Sequence, residues 1–97
     1  MTDAIPIIEE LPNGWSHHFS AETSHSYQNF EEDRDPSMLT VYVVEDGADQ
    51  FNVFFEHTDT PQPVELVRCD GIDEAQETAV RLMRDAEVLI DESVSGD

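Results

Sequence analysis

The sequence predicts an α+β two-layer sandwich: a four- to five-stranded antiparallel sheet with one C-terminal helix packed on one face. Three observations lead there. Two strongly β-prone segments, 38–45 and 51–57, flank an Asp-Gly turn. A further strand-like segment follows at 64–69. After residue 71 the apolar spacing changes from a period of two to a period of 3.6. One amphipathic helix covers one face of such a sheet and leaves the other over. At 97 residues the chain has room for a single domain, 1–97, with 1–4 and 91–97 expected to fray.

The elements follow in chain order. Ile5 to Leu11 is a short apolar-to-acidic stretch, and Pro12, Asn13 and Gly14 then suit successive turn positions. Trp15, His17, Phe19 and Ala21 alternate with Ser16, His18 and Ser20. The pattern predicts a hairpin over 5–21, with Pro6 near a strand start or edge. Residues 22–37 are polar and lack clear periodicity, so they read as a long loop. Tyr27 and Phe30 could pin that loop to the core, and a short strand around Tyr27 is the alternative.

Leu39, Val41 and Val43 share one face of the next strand, and Phe51, Val53 and Phe55 share one face of its partner. Paired, they make the expected core of an antiparallel ribbon. Asp46 to Asp49 reads as the hairpin turn between them. It lacks the spaced ligands and terminal Glu of a calcium loop. Thr58 to Pro63 is a loop, since two prolines block regular structure. In 64–69, Val64, Leu66 and Arg68 take one face and Glu65, Val67 and Cys69 the other. Asp73 reads as the helix N-cap, with Gln76 three residues on. Ile72, Ala75, Ala79, Leu82, Met83, Ala86 and Ile90 form the apolar stripe.

The charge is extreme. Asp and Glu number 23 against four arginines and no lysine, for a formal charge of -19. The acids are spread evenly, eight in 1–38, seven in 39–71 and eight in 72–97, so they form no acidic tail. Such a charge destabilises a compact chain by self-repulsion at ordinary salt. At about 1 M salt the Debye length falls to about 3 Å and most of that repulsion disappears. In its lysine-free, evenly acidic composition the chain resembles the small acidic cytosolic proteins of haloarchaea. The resemblance implies a salt-rich cytoplasm; it implies no activity and no site residues. The alternative is an acidic interaction protein of an ordinary cytoplasm. No apolar run approaches the roughly 20 residues of a membrane span, and the N-terminal residues have no basic or long apolar region of a secretory leader.

Candidate chemistry is sparse. A metal site would need His18, His25 and His57 to converge, with Cys69 as an optional fourth ligand, and no CxxC, HExxH or HxH spacing supports one. His17 and His18 are adjacent on a strand and point to opposite faces. Cys69 paired with a histidine could act as a nucleophile, yet a lone cysteine at a strand end more commonly serves as a small apolar side chain. No phosphate-cradling glycine motif occurs. Four arginines among 23 acids make a poor nucleic-acid surface. An acidic mimic of nucleic acid would concentrate its acids in rows, which this chain does not.

These readings point away from an enzyme and call for no cofactor. The one feature above background is the sheet face opposite the core. Tyr42, Val44, Phe54 and Val67 are expected there as an apolar contact surface for a protein partner or for the chain itself. The alternative is that the 22–37 loop folds over it. The function read from the sequence is thus a small cytoplasmic interaction module, with a metal-dependent enzyme and a nucleic-acid mimic as alternatives.

Overall fold

The computed structural model describes residues 8–33, 37–57, 64–86 and 88–89. Five antiparallel strands, β1 (Ser16–Ser20), β2 (Ser24–Phe30), β3 (Met38–Glu45), β4 (Gln50–His57) and β5 (Glu65–Asp70), precede one helix, α1 (Ile72–Arg84). Each strand pairs with the next in sequence, giving an open sheet in the order β1-β2-β3-β4-β5. Helix α1 lies against β3, β4 and β5. The architecture is the α+β two-layer sandwich that the sequence predicts.

The β3–β4 ribbon forms as its alternation requires. Val41 faces Phe55 and Val43 faces Val53, and all four are buried beneath the helix. The Asp46 amide donates to the Gln50 carbonyl at 2.7 Å and closes the turn. On α1, Ala75, Ala79, Leu82 and Met83 are buried, as is Ala86 just beyond it. Thr78 joins them although it is polar, because the Cys69 thiol beneath it lies 3.4 Å from its hydroxyl oxygen. The small alanines let the helix approach the sheet closely.

The helix begins differently from expectation. Gly71, not Asp73, is the N-cap, and no side chain caps the helix there. Gly71 has φ 94, a left-handed conformation that glycine adopts without strain. Its amide donates to the Asp49 carbonyl at 2.6 Å. The Glu74 carboxylate reaches back to accept from the Asp70 amide at 2.7 Å. A first-turn acid thus ties strand to helix and complements the helix dipole.

Two further expectations are corrected. Among the described residues of 5–21 there is no hairpin: Pro12 to Trp15 does turn, with the Trp15 amide on the Pro12 carbonyl at 3.1 Å, but 8–11 form no strand. Instead Ile8 and Leu11 pack against the core beside α1, and the Ile8 amide donates to the Tyr27 hydroxyl at 3.2 Å. Residues 22–37 are not a long loop either. The alternative strand around Tyr27 is present as β2, paired with β3 along its length and with β1 from His25 to Gln28. Its inward positions are His25, Tyr27 and Asn29, all buried. Two of the three are polar, so no apolar alternation announces the strand. The expected loop at 58–63, the frayed ends 1–4 and 91–97, and Ile90 lie outside the described residues.

Candidate functional site

The histidines do not converge. His18 is exposed at a bulge in the edge strand β1, where the register slips between His17 and Phe19. His25 and His57 are both buried on the helix face, but His25 lies opposite Val43 and His57 opposite Leu39, towards opposite ends of β3. His17 packs instead with His25 and Tyr27, at ring-centroid distances of 5.7 and 5.5 Å. Among the described residues, no group of three or more His, Cys, Asp or Glu is placed to hold a metal ion. The Cys69 thiol is buried against Thr78, away from every histidine-bearing strand except β4. A groove of about 590 Å³ lies between Glu10 and the outer side of α1. It is lined by Gln76, Glu77, Arg81 and Arg84 among others and holds no nucleophile.

The other face of the sheet is more informative. A strand presents alternate residues to opposite sides, so the register fixes which side chains stand together. Phe19 faces Ser26, Ser26 faces Tyr42, Tyr42 faces Phe54 and Phe54 faces Leu66. These five residues form one row across all five strands. At its centre the Tyr42 and Phe54 rings stack at 4.7 Å with 26° between their planes, within the range of favourable aromatic pairs. At its ends Phe19 is 57% and Leu66 60% exposed. Phe30, on the same side of β2, is 59% exposed. Among the described residues, the packing of α1 and of Ile8 and Leu11 is all on the opposite side.

The expected contact set needs one exchange. Tyr42, Val44 and Phe54 lie on this open face, but Val67 does not. It faces Val53 and packs on the helix side with Cys69, and Leu66 takes its place. The two faces of 64–69 carry similar apolar content, so alternation alone does not choose between them. Arg68 is the signal that does: a mid-strand guanidinium cannot sit beneath an alanine-lined helix without an expensive loss of hydration. Phe19 carries no comparable signal. The bulge after His17 moves it off the side that alternation shares with Trp15 and His17 and onto the open side.

Charged positions on this face are few. Of the strand positions facing it, only Glu56 and Asp70 are acidic. The Tyr42 hydroxyl hydrogen-bonds to the Glu56 carboxylate, and burial, followed by that negative charge, pushes the Tyr42 hydroxyl above its ordinary pKa. Arg68 donates to the Asp46 carboxylate at 2.8 Å, and the Asn52 amide donates to the same oxygen at 3.2 Å. Bonds from Arg68 and then Asn52 hold Asp46 below the usual carboxylate range.

Comparison with family models, curated proteins and solved structures returned no match. Among the described residues, no helix is long and apolar enough to cross a membrane.

Proposed function

We propose that this chain is a non-enzymatic interaction module of a salt-rich cytoplasm, and that its open sheet face docks a protein partner. The row from Phe19 to Leu66 carries the reading. A face that served only solubility in a chain of charge -19 would hold acids at most of its outward positions. This one instead presents an aromatic stack and two well-exposed apolar ends. Exposed apolar surface of this kind marks contact sites. Buried Cys69 and dispersed histidines support a binding role over catalysis. The acid-poor, arginine-poor face gives nucleic acid nothing to grip.

Two experiments test the two parts. For docking, the tagged chain and its Leu66→Asp variant are used to capture proteins from a haloarchaeal lysate in molar KCl. A partner retained by the wild type and lost by the variant is expected; equal retention by both overturns the docking face. For the salt-rich setting, thermal unfolding is followed from about 0.05 to about 3 M KCl. The midpoint should rise steeply to about 1 M, where screening is largely complete, and sulfate should add more than chloride beyond that. A flat midpoint overturns it.

A further inference from the structure

On the helix side, away from the open face, a cavity of about 370 Å³ lies where the 12–15 turn, the end of β2, the start of β3 and the last turn of α1 meet. We propose that it binds a small amino-acid zwitterion with an apolar body. Arg84 takes the carboxylate, Glu31 takes the ammonium, and the apolar body rests on the core.

The cavity is built from three kinds of wall. Trp15, Leu39 and Met83 line it from the core and are themselves buried. An apolar group entering it therefore leaves water for a hydrocarbon surface, which is favourable. Asn29 lines it too and is only 6% exposed. A carboxamide offers two donors and an acceptor oxygen with two lone pairs, so on a cavity wall it orients a polar guest of either sign. Glu31 and Arg84 complete the lining and are exposed.

The buried amide is fixed by the turn beside it. The Trp15 amide donates to the Pro12 carbonyl at 3.1 Å and closes that turn. Gly14 has φ 88, and a Cβ there would lie 2.8 Å from the Asn29 side-chain nitrogen. Glycine alone lets the turn come this close to Asn29 without displacing it.

Charge selects the guest. Among the described residues lining the cavity, Glu31 and Arg84 are the only charged ones. In a chain with 23 acids and four arginines, a balanced pair of charges at one cavity is an exception to the surface around it. A guest with a negative charge alone leaves Glu31 unmatched and near it. A guest with a positive charge alone does the same to Arg84. A zwitterion meets both, through a bidentate guanidinium–carboxylate pair at one end and an ammonium–carboxylate contact at the other. The volume agrees, since sites for small molecules begin at about 300 Å³.

Amide-shift titration of the ¹⁵N-labelled full chain in molar KCl tests this, with leucine as the probe. The controls are 4-methylpentanoate, which lacks the ammonium, and 3-methylbutylamine, which lacks the carboxylate. Leucine should give saturable shifts centred on the Trp15 indole and the Asn29 side-chain amide. Each control should bind about tenfold or more weakly, the loss of one charge-assisted contact. Arg84→Gln and Glu31→Gln change exposed residues, so both should keep the wild-type circular dichroism spectrum. Arg84→Gln should weaken leucine about tenfold and erase its advantage over 3-methylbutylamine. Glu31→Gln should weaken it similarly and erase its advantage over 4-methylpentanoate. Arg81→Gln, on the same helix but outside the lining, should change nothing. No saturable shift at Trp15 and Asn29 overturns the proposal. Equal binding of leucine and either control, or wild-type binding by both Arg84→Gln and Glu31→Gln, overturns it as well.

Discussion

The two faces of one sheet use their aromatic residues in opposite ways. On the helix side, Phe55 is 0% exposed between Val41 and the helix. One residue earlier in the same strand, Phe54 stacks on Tyr42 on a side where no described element packs. Neighbours in sequence thus divide between holding the fold and presenting a surface. Burial free energy follows the area removed from water, so the same residue type contributes very differently on the two sides.

The largest expected effect breaks the helix side. Phe55→Ala should cost about 3–5 kcal/mol and Leu82→Ala about 2–5 kcal/mol, each a large share of a small domain's stability. Phe54→Ala, measured on the monomer, should cost well under half of the Phe55→Ala value. Urea unfolding in molar KCl checks this, and similar losses for the two phenylalanines would erase the distinction between the faces.

A smaller effect sharpens how the helix side is anchored at its edge. Gly14 has φ 88, and a Cβ there would lie 2.8 Å from the Asn29 side-chain nitrogen. Gly14→Ala should destabilise by about 1–2 kcal/mol through backbone strain and displacement of buried Asn29. Gly47→Ala meets no atom within 4 Å at a similar φ of 98, so it should cost less. Thermal melts of the two variants give the comparison.

The smallest effect separates the faces by pH. Burial pushes the Tyr27 hydroxyl above its ordinary pKa on the helix side, and burial followed by Glu56 does the same to Tyr42 on the open side. A raised value means that the native state holds its proton longer than the unfolded chain. The resulting stability is fully present below about pH 10 and is lost as pH rises through the folded values. Stability should therefore fall above about pH 10. Tyr42→Phe should make the fall shallower, and an unchanged slope would mean that Tyr42 adds nothing to it.

How much of this the sequence discloses depends on the face. Leu39 to Val43 and Phe51 to Phe55 alternate cleanly, so the central ribbon and its buried side are legible. So is the helix, because its stripe repeats every 3.6 residues. Strand β2 is legible only as the alternative around Tyr27, because its buried positions are filled by His25, Tyr27 and Asn29, and periodicity detects apolar groups only. The Pro12–Gly14 turn is legible but misleading: a genuine turn follows a segment that packs irregularly instead of pairing. On the open face, Tyr42, Val44 and Phe54 follow from parity. Leu66 and Phe19 do not, since one needs the β4–β5 register and the other a bulge.

The division of labour between the faces is tested most directly by adding a soluble, uncharged paramagnetic chelate to the protein in molar KCl and following side-chain proton signals. The account predicts broadening of the Phe19, Phe54 and Leu66 signals, with those of Val53, Phe55 and Leu82 on the helix side spared. Equal broadening of Phe54 and Phe55, or sparing of both, would contradict it.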